Sequence, residues 1–460
     1  MKKFKMPHAL VIMVMIILLA VVMTWIVPAG QFARIENAEG VKVVDPTSFQ
    51  YLESSPVSLL KVPKMIVESL ISKIDLMYTV IFAGAAFHMI AKSGALQVLV
   101  GSTAGQFRGK AYLFVPVMTA AFAVICSTQA VNHFIAFAPV MVVIAMGMGF
   151  DSIVGVAIIL LGGAIGFSTA GLNINTAVLA QKIAEVPVYS GLRYRAVCFV
   201  VFLIVTCLYL VNYARKISKN PELSPVYDID QGREERVVDL TAFGKMDWRK
   251  ICILLVLLLS LVSLIVGNTK LGWDLEEYAA LFLVVAIVEG LLLGLTPSQI
   301  ASEFINGCKT MLGAAFLIGF AGTIASVLKA GGIIDTIIFA SSNMLNHVPR
   351  FLLGPAMFLV NVLVNLVIVS GSGQATAVMP IMAPLADLVG ITRQTSVLAF
   401  TFGDGFCNYV LPHSSALMGI LGAANIPYDR WMKFMWKLFL IWLLLGSVLC
   451  SIAQIIGYGV

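Results

Sequence analysis

Long apolar runs alternate with short polar intervals along this chain, and the lengths of the runs set the first expectation. Ala9 to Val27 is an apolar stretch of nineteen residues behind Lys2, Lys3 and Lys5. At 1.5 Å per residue such a stretch crosses a hydrocarbon core roughly 30 Å thick. A signal peptide also has basic flanks, but its apolar core is shorter and no series of spans follows it. The pattern therefore predicts an uncleaved first transmembrane helix. Further spans are predicted over Leu76–Ala91, Ser152–Val186, Ala196–Tyr213, Ile251–Val266, Tyr278–Leu295, Met311–Leu328, Ser396–Ala424 and Phe434–Tyr458. Two of these, Ser152–Val186 and Ser396–Ala424, are too long for one crossing and are expected to be broken.

Ala111–Ala145 and Phe351–Leu388 have a different character, because each carries a polar stretch in its middle. In the first it runs from Cys126 through Ser127, Thr128 and Gln129 to Asn132 and His133; in the second it is Ser370-Gly371-Ser372-Gly373-Gln374-Ala375-Thr376. Backbone can turn within a membrane only where protein or a wet cavity satisfies its polar groups. A re-entrant hairpin with its polar tip near the midplane fits both segments; a plain kinked span is the simpler alternative.

The landmarks also repeat. Pro139 and Gly149 stand ten residues apart after the first tip, and Pro380 and Gly390 keep that spacing after the second. Gly162-Gly163-Ala164-Ile165-Gly166-Phe167 recurs 241 positions later as Gly403-Asp404-Gly405-Phe406-Cys407-Asn408. Ile183 to Pro187 resembles Ala423 to Pro427, and Lys92-Ser93-Gly94 matches Lys329-Ala330-Gly331. Each half reads helix, amphipathic segment, helix, hairpin, broken helix, helix. The unpartnered span Ile251–Val266 would turn the second half upside down. Inverted repeats with interrupted helices are a signature of secondary transporters, which hold substrate near the midplane at the repeat interface. The expected fold is an all-α polytopic membrane protein with two inverted-topology repeats, about nine transmembrane helices, two re-entrant hairpins and two broken helices. Residues 1–214 form the first repeat, 215–250 a cytoplasmic linker, and 251–460 the extra span with the second repeat.

Composition agrees. Of 460 residues 60% are hydrophobic and only 12% charged, against about a quarter charged in soluble chains. That excludes a cytosolic enzyme or a nucleic-acid binder. The net charge of +6 matters mainly through where Lys and Arg fall. They are more frequent on segments placed inside, which puts the N-terminus in the cytoplasm of a bacterial inner membrane. The seven cysteines lie singly, almost all in apolar runs, and are expected to pack rather than to bind metal or form disulfides. Arg193, Arg195 and Arg393 read as interfacial anchors, His88 as packing, and Glu289 as a helix contact or a residue near the cytoplasmic surface. No HExxH or GxSxG occurs and the histidines form no cluster, so no catalytic residue is expected.

The chemistry is expected where the two tips meet the two breaks, at Gly166–Thr176 and Gly403–Ser415. Glycines let backbone unwind and approach a ligand, and Pro412 frees a carbonyl one turn earlier. Half-helix N-termini opened in this way suit a carboxylate, whereas freed carbonyls with Ser, Thr and Asn oxygens suit a sodium ion. The candidate substrate residues are Asn132, His133, Asn173, Asn175, Thr176, Ser370, Ser372, Gln374, Asn408, His413 and Ser414. Polar side chains at membrane depth are functional candidates by default. Asp404, the one acid inside a break, is the candidate for coupling to a sodium ion or a proton, with Ser127, Thr128, Gly371 and Gly373 around it. No other cofactor is expected.

Several of these residues carry a family resemblance. Pro7-His8, Trp25 to Gly30, Gly331 to Thr336, Ser370 to Gln374, Met379 to Gly390, Thr392-Arg393-Gln394, Phe402 to Phe406 with Asn408 and Pro412, and Ile426-Pro427-Tyr428 resemble the YfcC-type transporters. These belong to the anaerobic dicarboxylate carrier (DcuC) group of the ion transporter superfamily. The resemblance implies secondary transport of small carboxylate-bearing metabolites, binding at two hairpin tips and two unwound helices, and a homodimer by superfamily analogy. Some members resemble arginine–ornithine exchangers, which carry two adjacent acids where this chain has Asn132-His133; members also tend to read Leu-Asn-Pro-Phe where this chain reads Leu172-Asn173-Ile174-Asn175. The expected function is alternating-access transport of a dicarboxylate or neutral amino acid, cation-coupled or by exchange. The alternative is a basic amino acid antiporter that neutralises its substrate with Asp404.

Overall fold

A computed structural model describes residues 9–36, 42–45, 47–95, 98, 111–127, 130–233, 246–267, 271–345 and 348–459. It is chiefly helical. Among the described residues five helices are long and apolar enough to cross a membrane: Ile74–Ser93, Ser152–Thr169, Leu192–Lys219, Pro297–Ala330 and Tyr428–Ile455. The other expected spans form helices Ala9–Ile26, Trp248–Val266 and Leu275–Leu292, together with shorter apolar pieces.

Both overlong segments break. Ser152–Thr169 gives way to non-helical backbone at 170–173, then to a π-helical turn Ile174–Val178 and the short helix Leu179–Ile183. Gly171 sits at φ +74° in this break, a left-handed conformation that costs glycine least. The second segment divides into Arg393–Cys407 and Ser415–Ala423 around residues 408–414, which contain Pro412.

The two polar-interrupted segments divide at their polar stretches. The first forms Ala111–Ile125, a 3-10 helix Val131–Phe137 and Ala138–Gly147; the second forms Leu353–Asn365 and Gly371–Val389. Both arms of the first pack on Ser152–Thr169, both arms of the second pack on Arg393–Cys407, and those two helices pack on each other. Glycine sets the approach in each half. A Cβ on Gly162 would stand 2.7 Å from the Thr119 carbonyl oxygen and from Phe122 Cβ, and one on Gly403 would stand 2.4 Å from Asn361 Cβ. Small residues that let backbones touch are the usual basis of helix association in lipid, where apolar burial drives little. Elsewhere Ile74–Ser93 packs on Leu275–Leu292 and on Pro297–Ala330.

The amphipathic helix Val62–Ser72 and the helix Ile74–Ser93 part at Lys73 (φ −113°, ψ 14°), whereas Pro297–Ala330 runs as one unbroken helix.

The all-α expectation needs a correction. Gly30–Gln31 pairs with Gln50–Tyr51, and Arg34–Glu36 pairs with Lys42–Val44, in two small antiparallel sheets. Runs of two or three residues are too short to show a strand period. The module is held by Asp335, which accepts from the Phe32 amide at 3.0 Å and pairs with Arg34 at 2.9 Å. The boundary drawn at 214 falls inside helix Leu192–Lys219. The start of the linker is folded: Asp151 caps Ser152–Thr169 and accepts from Tyr213 and Ser224 at 2.5 and 2.6 Å, while Asp230 accepts from the Ser152 amide at 2.8 Å. All seven cysteines are free.

Arg195 and His88 sit otherwise than expected, and Glu289 is buried on its helix. Arg195 is no interfacial anchor: it is fully buried, donates to Thr401 Oγ1 at 3.0 Å, and lies against Gly171. His88 Nε2 lies within hydrogen-bond distance of Glu303 Oε2, at 2.8 Å, joining Ile74–Ser93 to Pro297–Ala330. Glu289 is fully buried with neither carboxylate oxygen hydrogen-bonded among the described residues.

Candidate functional site

Both polar stretches, the first broken helix and the second break line one cavity of about 470 Å³. The first tip supplies Ala130, Val131 and Asn132, and the first broken helix supplies Phe167. The second segment supplies the stretch from Val367 to Gly371; the second break supplies Asn408, Tyr409, His413, Ser414, Ser415 and Ala416. The remaining wall comes from Ser72 and Lys73 at the helix joint, Ile334, and Ala321, Gly322, Ala325 and Ser326 of Pro297–Ala330.

Two helices begin at this cavity. Ser370 caps Gly371–Val389 by accepting from the Gly373 amide at 3.3 Å, and Ser414 caps Ser415–Ala423 by accepting from the Leu417 amide at 3.4 Å. Each helix start leaves further amides without an intrahelical partner and presents the positive end of the helix dipole. Asn408 Oδ1 and His413 Nε2 are buried without a hydrogen-bond partner among the described residues. The His413 ring lies beside the Asn365 and Leu366 backbone. Among the described lining residues, Lys73 is the one charged side chain.

A second polar layer lies behind Gly371. Asp404 is fully buried and accepts from Asn365 Nδ2 at 2.9 Å through Oδ1. Asn365 Nδ2 also donates to Gln374 Oε1 at 3.0 Å, and Gln374 Nε2 donates to the Asn361 carbonyl and side-chain oxygens at 3.0 and 3.1 Å. Asp404 Oδ2, Thr176 Oγ1 and Asn365 Oδ1 are all buried without a hydrogen-bond partner among the described residues. A Cβ on Gly371 would stand 2.5 Å from Thr176 Cγ2 and 2.9 Å from Asp404 Oδ2. Thr176, through its methyl group, and Asp404, through Oδ2, therefore meet across this glycine.

Asn132, Ser370, Gly371, Asn408, His413 and Ser414 thus share one cavity. Asp404 and Thr176 adjoin it through Gly371. Gln374 is fully buried in the network that fixes the second tip, away from the lining. Ser372 is exposed and Gly373 donates to the Ser370 cap, neither of them lining the cavity. Asn173 is buried in the first break, its carbonyl accepting from Val178 at 3.1 Å. Ser127 Oγ donates to the Val124 carbonyl at 2.6 Å within its own turn. Thr128 lies outside the described residues, as do the side chains of His133 and Asn175. The sequence reading missed Lys73, Asn361 and Asn365. The two asparagines, four apart on an apolar helix, share one face, and that spacing was the available signal.

The chain matches the family model described as C4-dicarboxylate anaerobic carrier over residues 6–455. It is 31% identical to YfcC of Escherichia coli (strain K12), which is named as a candidate basic amino acid antiporter, over 99% of this chain and 98% of that protein. It is 27% identical to an uncharacterized protein of Haemophilus influenzae, over 100% of this chain and 99% of that one. Among solved structures, the YdaH transporter of Alcanivorax borkumensis aligns with a TM-score of 0.44 at 17% identity, covering 98% of this chain and 99% of that chain. MtrF of Neisseria gonorrhoeae, described within a class of antimetabolite efflux pumps, aligns at 0.41 with 14% identity over 98% and 96%. Matched from end to end by a transporter family and built of membrane-length apolar helices, the chain belongs to the C4-dicarboxylate anaerobic carrier family of membrane transporters.

Proposed function

We propose that this protein is a secondary active transporter that carries a small carboxylate-bearing metabolite across the bacterial inner membrane by alternating access. The observation that carries the reading is one cavity lined by both polar stretches, by the first broken helix through Phe167 and by the second break. Its substrate end is made by the two capped helix starts at Ser370 and Ser414, whose free amides suit a carboxylate, with Asn132, Asn408 and His413 as polar contacts. Asp404 Oδ2, Thr176 Oγ1 and Asn365 Oδ1 form the group proposed for the coupling cation or proton. A buried carboxylate oxygen without a partner is costly, and a cation or proton there offsets the cost. The repeated packing of each pair of arms on its own broken helix supports two inverted repeats with re-entrant tips. With the N-terminus cytoplasmic, the Lys73 side of the cavity faces outward. A homodimer is proposed by superfamily analogy alone.

Exchange of a basic amino acid is the second reading, and the name of the YfcC relative favours it. Against it stands the cavity wall, whose described residues include no carboxylate and one lysine. Asp404, the acid that would neutralise such a substrate, is set behind Gly371 and hydrogen-bonded to Asn365.

Thermal unfolding of the purified protein tests the choice. A ligand that binds only the folded state stabilises it by about 2.7 kcal/mol at a concentration one hundred times its Kd. Carboxylates are expected to raise the Tm and arginine to leave it unchanged. A rise with arginine and none with carboxylates would reverse the assignment.

A further inference from the structure

We propose that Glu289 is a proton-binding site, separate from Asp404, through which transport is coupled to protons. The site stands on the packing of Glu289; its link to transport rests on the alternating-access reading above.

The buried residues of helix Leu275–Leu292 run from Tyr278 through Phe282 and Val285 to Glu289 at spacings of three and four, which makes one inward stripe. Glu276 and Glu277, at the first turn, are exposed. The stripe packs on Ile74–Ser93 in parallel register. Thr79 Oγ1 donates to the Leu275 carbonyl at 2.8 Å, and the Phe87 and Phe282 rings meet with centroids 6.2 Å apart. Past Glu289 the helix is covered by Pro297–Ala330, where a Cβ on Gly290 would stand 2.8 Å from Ile300 Cγ1.

Glu289 is fully buried there, and neither of its oxygens has a hydrogen-bond or ion-pair partner among the described residues. Charged groups on the packed helices are engaged elsewhere. His88 and Lys92 both meet Glu303 at 2.8 Å, Lys250 pairs with Asp247 at 3.8 Å, and the Arg249 guanidinium lies over the Trp248 ring. An ionised carboxylate so placed carries a desolvation cost that nothing offsets, and a proton removes it. Sodium fits less well, because a hard cation takes several oxygen ligands at once. The unpartnered oxygens of Asp404, Thr176 and Asn365 supply such a set, whereas Glu289 brings one carboxyl group alone.

The stripe also reaches the cavity-lining elements. Phe282 meets Phe137, with ring centroids 6.4 Å apart, at the end of the 3-10 helix Val131–Phe137 that carries Asn132 to the cavity wall. A displacement of that tip would therefore alter what covers the Glu289 carboxyl.

Infrared difference spectra of the full-length protein in detergent at neutral pH test the site. The unaltered protein is expected to show a carboxylic-acid C=O band that Glu289→Gln lacks and Asp404→Asn retains. Glu289→Met, which removes the carboxyl and leaves no polar oxygen or nitrogen, is expected to lose the same band and serves if the glutamine variant does not fold. If neither variant loses a band, the proton site is overturned. Proteoliposomes test the coupling. Glu289→Gln is expected to slow uptake driven by a proton gradient about tenfold, and succinate counterflow by less than about threefold. Unchanged proton-driven uptake, or equal loss of both activities, would overturn the coupling role. If the unaltered protein shows no succinate counterflow, the transport reading itself fails, while the infrared comparison still decides the proton site.

Discussion

Asp404→Asn is expected to cut gradient-driven uptake by roughly 100-fold while leaving substrate exchange much less affected. The substitution is nearly isosteric, and an asparagine carbonyl at 404 can still accept from Asn365 Nδ2, which now donates to Asp404 at 2.9 Å. The network through Gln374 and Asn361 is therefore retained. What disappears is the negative charge and the second oxygen, the one buried without a partner next to Gly371. A charged contact contributes about 1.5–3 kcal/mol, one to two factors of ten in ion binding. On the proposed coupling, gradient-driven uptake depends on that ion, whereas exchange needs only that substrate bind and the cavity change sides. The check is uptake into proteoliposomes under an imposed sodium or proton gradient, beside exchange in the same vesicles. Equal loss of both in folded protein would make Asp404 a substrate-binding or structural residue.

Gly371→Val is expected to abolish transport, with rates down by roughly 100-fold or more, in protein that still folds. The first added carbon would already stand 2.5 Å from Thr176 Cγ2 and 2.9 Å from Asp404 Oδ2, well inside ordinary contact. Two further methyl groups would enlarge the clash at the point where the first break, the second break and the second tip adjoin. Overpacking of this kind costs typically 1–3 kcal/mol, too little to unfold a bundle held by many other contacts. Gly371 opens its helix at a cavity wall, where the second tip can shift outward to relieve the strain. A shift of that size takes the Ser370 cap and the Asp404 oxygen out of register. The check is uptake together with size-exclusion behaviour and Tm in detergent. Near-normal transport would mean that the approach of Thr176 and Asp404 across Gly371 plays no part in the cycle.

Much of this architecture was legible in the residues because membrane insertion makes a few features unambiguous. A run too long for one crossing has to break or tilt, and Ser152–Val186 and Ser396–Ala424 both break near their glycines and Pro412. Polar tracts inside apolar segments have to face protein or water, and Asn132 and Ser370 do line the cavity. What could not be read was which face of a polar residue's helix turns inward. Gln374 lies one turn past Ser370, yet it points into a buried network, whereas Ser370 reaches the cavity. Arg195 looked like an anchor by its place near a helix start, and only packing against Gly171 and Thr401 reveals its burial. Lys73 was hidden for the opposite reason. It falls at the end of a polar stretch where a lysine needs no explanation, and its position becomes informative only once Gly322 is seen beside it.

Counterflow in proteoliposomes tests the central claim most directly. Vesicles loaded with unlabelled succinate and diluted into trace labelled succinate should accumulate label transiently, and vesicles loaded with arginine or ornithine should not accumulate labelled arginine. A carrier whose described cavity lining includes a lysine and no acid predicts that pattern. Rapid arginine–ornithine counterflow with no response to succinate would contradict it.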